Sequence, residues 1–344
     1  MKSKLLWSMT LFTSCLLAQE PIEENKEKIQ IKGSVDTYFR TNLTGPNIAF
    51  EEDDEIFFLN PGTSFADRSG FSVGMANAII SYEGKKVGFV ADLVFGPRGE
   101  DAVFLSVGSS NIVNQLYIYF ALSEKITLTL GNFNTFLGYE VISPVDNFNY
   151  STSYMFSNGP FSHTGLKADI ALSKDLSLML AVLNSTDFTE INIDGSYTLG
   201  TQLGYKDQFL NVIYGNQTGG SGTTFQVDYT GGAPLNKTFF LGVNATYSDT
   251  DGNGFYGAAV YPQYTVSEKL AIGLRGEYFG LFEENIDDET VFAATLSANY
   301  KIGGLTIIPE VRLDSWSEEI YVDQDLNPTK NLASFLVAAV YTFN

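Results

Sequence analysis

His163 is the only histidine in the chain, and imidazole is the side chain most often used as a general base near neutral pH. Ser162 adjoins it and Asp169 follows six residues on. In an extended strand, neighbouring side chains point to opposite faces, so Ser162 faces away from His163. Asp169 shares the face of His163 but lies too far along the strand to orient the ring. A nucleophile, its base and the group that orients the base must come within hydrogen-bond reach of one another. This spacing does not bring them there, and His163 reads as an interior residue. A second candidate is Asp249, Asp251 and Asn253 followed by Gly254, which has the spacing of the first half of a calcium loop. The twelfth position, where a bidentate carboxylate belongs, is Val260, and Phe255 already starts an apolar alternation. The segment therefore reads as a hairpin turn, with calcium at Asp249, Asp251 and Asn253 the lesser alternative. No cofactor signature is present.

The remaining chemistry lies in charges embedded within apolar segments. These are Lys32, Asp36, Arg40, Lys86, Asp92, Lys167, Asp169, Asp228, Arg275, Glu277, Glu310, Arg312 and Asp314. In each segment the charge alternates with large apolar residues. Leu270, Ile272, Leu274 and Tyr278 interleave with Ala271, Gly273, Arg275 and Glu277, and Leu305, Ile307, Val311 and Leu313 interleave with Thr306, Glu310, Arg312 and Asp314. Period two is the signature of a strand with two unlike faces. A soluble sandwich would need its inward positions dry, and a charged inward row excludes that. The pattern fits a membrane barrel, apolar toward lipid and wettable toward an enclosed interior.

Strands of this kind are expected at 29–40, 72–82, 86–96, 112–122, 125–134, 161–172, 175–184, 196–206, 208–216, 223–231, 238–248, 255–266, 269–279, 291–301, 304–315 and 333–343. The sixteen make an all-β, transmembrane antiparallel β-barrel. The connections alternate between short turns and mostly longer loops, which puts all the short turns on one side. Membrane barrels show that asymmetry, with periplasmic turns and extracellular loops. Aromatic residues near strand ends, among them Tyr38, Tyr117, Tyr278, Tyr300, Tyr341 and Phe343, agree with interfacial girdles.

The start of the chain sets the compartment. Met1 to Lys4 is basic, Leu5 to Phe12 is mostly apolar, and Ala18 before Gln19 offers a small residue for cleavage. Residues 1–18 read as a signal peptide, 19–28 as a short polar segment and 29–344 as the barrel. Lipid attachment at Cys15 is the alternative. Cleavage after Ala18 removes the only Cys together with Lys2 and Lys4. The mature chain then has 18 basic and 40 acidic side chains, a net charge of −22 against −20 for the full chain. Such acidity argues against nucleic acid as a partner. Past the signal the longest apolar run is Phe335 to Tyr341, too short for a spanning helix.

The stretch from Gly138 through Tyr150 and Ser151, running on to Phe161-Ser162-His163-Thr164-Gly165, resembles the putative beta-barrel porin-2 family, as does Gly33 to Phe39. The resemblance implies a Gram-negative outer-membrane porin that passes solutes. On that reading the thirteen embedded charges line the lumen, six basic and seven acidic. A nearly balanced wall argues for a size filter with local transverse fields. Loop 135–160 is aromatic and long, and folding inward would make it a constriction carrying Glu140, Asp146, Asn147, Phe148, Tyr150 and Tyr154. Acidic runs such as Glu51 to Glu55 give a negative outer surface beside membrane lipid and lipopolysaccharide. A homotrimer is an expected assembly, and small hydrophilic solutes are the expected cargo. The competing readings are a scaffold or adhesin that displays its loops, and behind it an outer-membrane hydrolase.

Overall fold

A computed structural model describes residues 29–52, 55–193, 195–217 and 222–343. The signal peptide and the polar segment 19–28 lie outside the described residues. The strands are β1 (Ile29–Asn42), β2 (Gly70–Glu83), β3 (Val87–Phe95), β4 (Val113–Ser123), β5 (Ile126–Asn134), β6 (Ser162–Ala171), β7 (Leu176–Leu183) and β8 (Thr198–Tyr205). They continue as β9 (Gln208–Gln217), β10 (Gly222–Pro234), β11 (Phe239–Thr250), β12 (Asn253–Thr265), β13 (Leu270–Phe282), β14 (Glu289–Ile302), β15 (Leu305–Trp316) and β16 (Asn331–Phe343). Each pairs antiparallel with its chain neighbours. The ring closes where β1 pairs β16, from Gly33 opposite Phe343 to Asn42 opposite Ser334. Closure matters in hydrocarbon, where an unpaired strand edge would leave backbone groups with no partner.

The expected alternation holds. On β13, Ile272, Leu274 and Tyr278 are exposed on the outer face while Arg275 and Glu277 are completely buried. On β15, Val311 and Leu313 are exposed and Glu310, Arg312 and Asp314 buried. A soluble fold would invert this arrangement, since charge is the last thing a dry core accepts. Local irregularities fall where residue types allow them. Gly131 on β5 has φ +136°, and a Cβ there would sit 2.2 Å from the Leu116 carbonyl, so only glycine permits the β4–β5 pairing at that point. A bulge between Asp92 and Leu93 turns Asn114 inward beside Asp92.

The start of β1, the end of β16 and all short turns share one rim, which is the periplasmic rim of such barrels. Every one of these turns holds or adjoins a lysine. Lys85 and Lys86 lie between β2 and β3, Lys125 between β4 and β5, and Lys174 between β6 and β7. Lys206, Lys237 and Lys269 serve the next three turns, and Lys301 is the penultimate residue of β14, before the turn at Gly303. The opposite rim carries the long loops. Two of them enter the barrel and pack on its inner face, the first through 59–66 and the second through 135–161. A short ribbon pairs Ala49–Glu52 with Glu55–Phe58, helix α1 is Pro97–Ala102, and helix α2 is Tyr154–Asn158. Tyr154 and Met155 of α2 pack against Phe255, Tyr261, Phe279 and Trp316 from the inner face of β12, β13 and β15.

Candidate functional site

The inner wall and loop 135–161 meet through directional polar contacts made mostly by wall side chains to loop main chain. Glu277 on β13 accepts from the backbone N–H groups of Tyr154 (3.0 Å) and Met155 (2.8 Å). Those are unpaired first-turn donors of α2, whose Ser153 side chain also caps Phe156 N–H at 3.0 Å. Glu310 accepts from Tyr150 N–H at 2.5 Å, Ser151 N–H at 3.1 Å and the Ser297 hydroxyl at 2.8 Å. Asp228 takes Gly138 N–H at 2.9 Å while Asn211 and Asn244 hold its carboxylate from the wall. Asp36 accepts from the Tyr150 hydroxyl and from Met75 N–H.

The arginines grip the complementary carbonyls. Arg275, fully buried, donates to Glu140 (2.5 Å), to the Ser151 carbonyl (2.6 Å), to the Thr152 carbonyl (3.1 Å) and to Thr295 (3.1 Å). Arg312 pairs in a fork with Asp314 and donates to the Thr152 carbonyl at 2.8 Å. Arg40 reaches into loop 43–69, donating to the Leu59 carbonyl at 3.2 Å and to Asn42 at 2.8 Å. A cavity of about 10 Å³ lies between Arg40, Thr63, Ser151, Arg312 and Ser334. A second of about 10 Å³ lies against Gln226, Asp228, Asn244 and Thr246. Each is of the size of a single water and mixes polar with apolar lining, Phe65 and Leu336 in the first and Met155 and Phe156 in the second.

Several residues sit differently from the sequence expectation. Lys86 is in a turn and solvent-exposed, and Lys32 is exposed at the rim, where β1 pairs with β2 (Lys32 opposite Ile79) but not yet with β16, whose pairing starts at Gly33. Lys167 and Asp169 bridge one another at 3.1 Å on the inner face and do not touch the loop. Asp92 is held by Asn77, Asn114 and Gln115 within the wall. Glu140 does not face open water, because it is buried against Arg275 and accepts from Ser153 N–H at 2.7 Å. Asp146 is exposed. Asn147 closes the loop on itself through Val141, and Phe148 lies over Gly273 with its carbonyl accepting from Asn299.

Arg98 is a residue that the sequence pattern did not single out. From α1 it donates to the Ile142 and Tyr150 carbonyls, at 2.8 and 3.3 Å, and stacks 4.4 Å over Phe65, so it ties both inner loops together. Its only signal was a basic residue inside the otherwise acidic Gly96 to Asp101 stretch. The alternation rule, which works for strands, is blind to it.

His163 is buried between Phe136 and Phe133, with Nε2 2.9 Å from the Thr135 hydroxyl. Ser162 bonds Asn132 on the other face of β6. At 249–254, Asp251 (φ +50°) and Gly252 (φ +90°) form a tight hairpin turn flanked by paired strands, and no group of three or more His, Cys, Asp or Glu is arranged for a metal among the described residues. Outside the spanning strands, Asp187 accepts from Phe161 N–H (2.6 Å) and Ser162 N–H (2.9 Å), and burial pushes its carboxyl up to about 6.

A closed sixteen-stranded wall, apolar outside and charged inside, with a loop bound along its inner face, defines an outer-membrane channel barrel. The chain belongs to the putative beta-barrel porin-2, OmpL-like family, whose model matches residues 28–343. It is a porin of the Gram-negative outer membrane. No curated protein sequence matches the chain. Its fold is similar to that of the outer membrane channel DcaP of Acinetobacter baumannii, at 12% identity and a TM-score of 0.61, covering 93% of this chain and 99% of that one. It is similar also to an anion-selective porin from Comamonas acidovorans, at 9% identity and a TM-score of 0.61, over 92% of this chain and 100% of the other. The in-vitro folded trimer form of OmpT, an outer membrane protein of Vibrio cholerae, matches at 12% identity and a TM-score of 0.55, over 92% and 99% of the two chains.

Proposed function

We propose that the barrel passes small hydrophilic solutes by passive diffusion and that loop 135–161 sets the size limit. The observation that carries this reading is the row of contacts from wall Asp228, Glu277, Glu310, Arg275 and Arg312 to the loop main chain. They hold the loop across the interior, and at the level of Arg275, Glu277 and Thr295 the wall is sealed from solvent. The path we propose runs beside the loop, where the two small cavities lie, and widens as the loop shifts from the wall. The wall charges are spent on one another and on the loop, so they leave no free ladder of one sign, and selection is by size more than by charge. On this reading the protein works as a channel without catalysis. His163 lies buried between two rings with the Thr135 hydroxyl at Nε2, and among the described residues its Nδ1 has no hydrogen-bond partner, so no carboxylate orients the ring as a base. A homotrimer is the assembly that goes with this reading.

Planar bilayers test the reading. The wild-type protein gives small ohmic steps, and deletion of 139–158 raises the single-channel conductance several-fold. A sealed bilayer at ample protein defeats the porin assignment, and equal conductance of the two proteins defeats the constriction.

A further inference from the structure

The periplasmic rim carries an exposed charge pattern that the channel reading does not use. Lysines occupy or flank every turn around the circumference, and all of them are exposed. Among the described residues none of them lies within ion-pair distance of a carboxylate. With Lys32 there are nine lysines on this rim, against five carboxylates, Glu83, Glu124, Asp175, Asp207 and Glu268. The rest of the chain is strongly acidic, so a basic rim is a local reversal of sign and not a reflection of composition.

The level of this rim is fixed by the strand ends beside it. Tyr205, Tyr264, Tyr300 and Tyr341 are exposed on the lipid-facing side within a few residues of the turns, where amphipathic rings sit at the boundary of hydrocarbon and headgroup. Lys206 follows Tyr205 directly, and its ammonium lies 5.2 Å over the Tyr205 ring, so this lysine folds back along the outer wall. Lys301 also follows an exposed ring, Tyr300, but it lies within β14 with lumen-facing parity and stands at the mouth of the barrel. A lysine folded back as Lys206 is stands at the depth of the lipid phosphates, with its stem on apolar surface and its charge in the headgroup layer.

We propose that the turn lysines form a collar that binds the phosphates of anionic phospholipids in the inner leaflet. A folded protein partner would touch one arc of the rim, whereas the lysines are spread over all of it. A leaflet is the partner that surrounds the whole circumference. The collar fixes the depth of the barrel and selects its boundary lipid.

The test uses the full chain in bilayers of phosphatidylcholine, with spin-labelled phosphatidylglycerol or spin-labelled phosphatidylcholine as the probe, read as the motionally restricted fraction. The expected result at low salt is about a fivefold preference for the anionic lipid, the factor that corresponds to about 1 kcal/mol for a lysine at an anionic surface. High salt removes it, because the contact is screened. A variant with glutamine at Lys85, Lys125, Lys174, Lys206, Lys237 and Lys269 shows near-equal restriction of the two lipids and unchanged conductance. Equal restriction by the wild type overturns the proposal, as does a preference that survives in the variant. A variant that alters ion selectivity while keeping its lipid preference assigns the lysines to the channel exit and overturns it too. So does wild-type binding of peptidoglycan fragments or an acidic protein with no lipid preference. A barrel that prefers anionic lipid but never conducts sinks the porin reading and leaves the collar standing.

Discussion

Replacing Arg275 with alanine tests whether buried charge holds the loop in the barrel. The side chain is fully enclosed and makes one ion pair and two hydrogen bonds to loop carbonyls. Its removal leaves Glu140 buried, still accepting from Ser153 N–H but without its counter-charge. Breaking a buried pair from one side costs about 3–5 kcal/mol, since the remaining charge keeps its desolvation penalty. At about 1.4 kcal/mol per decade, the docked loop becomes less favoured by roughly two to three and a half decades. The main-chain pairing of β13 with β12 and β14 is untouched, so the barrel itself persists. Hydrogen exchange of the amides from Tyr150 to Phe156 in lipid nanodiscs reads the docking directly, and conductance of the same preparation reads its consequence. The double variant Arg275→Met with Glu140→Gln removes both charges and regains most of the loss, which gives a large coupling energy in the cycle. Wild-type protection of these amides in Arg275→Ala, or a coupling near zero, refutes the argument that the pair holds the loop.

Two further outcomes follow from other contacts. Gly74→Ala places a methyl 1.7 Å from Asp36 Oδ2 and 2.7 Å from the Tyr150 hydroxyl, so Asp36 must turn away from Tyr150. Faster exchange at Tyr150 is expected, with about 1–3 kcal/mol lost, whereas Gly276→Ala, whose nearest neighbour is Val260 at 3.8 Å, leaves exchange unchanged. For Asp187, a carboxyl raised to about 6 by burial means that the loop segment around it, closed on Phe161 and Ser162, takes up a proton that an open segment does not hold above pH 4. Its closure is therefore strongest below about pH 4, weakens as pH rises through about 6 and is level above that. Limited proteolysis of this loop between pH 4 and pH 8 checks the sign, and Asp187→Asn should remove the pH dependence.

The sixteen strands were legible because a barrel wall must alternate at every position, and no neighbouring element can override that rule. The sequence boundaries therefore fall within about three residues of those observed, as for 269–279 against Leu270–Phe282. The site was less legible where a side chain lay at the limit of the sheet. Lys86 has inward parity, but parity has no meaning past the last paired residue. The inward course of loop 135–160 could be read from its aromatic residues, since Tyr154, Met155 and Phe156 are too apolar for water. Which wall residue meets which amide could not, because Glu310 and Tyr150 are 160 residues apart and only closure of the ring brings them together. The second inner loop, 43–69, escaped notice for a related reason. Its anchor is the backbone carbonyl of Leu59, and backbone atoms leave no mark in a sequence.

A loop that fills a lumen could be held by apolar packing alone, and the barrel uses that around Tyr154 and Phe279. The charged contacts add something that packing does not. An apolar wall stripped of its loop would expose hydrocarbon to water at a cost proportional to area. A wall of Arg275, Glu277, Glu310 and Arg312 regains hydration when the loop leaves, and this offsets much of the bonding lost. Directional hydrogen bonds also specify one register, since Glu277 fits only where two free amides of α2 converge. The two effects act together: the docked position is unique, and departure from it costs less than separation of a dry core of equal size. A lumen that must be wet whenever solute passes is better built from such contacts than from a packed apolar interior, and that is why charges stand on the inner face of strands whose outer face carries none at the corresponding depth.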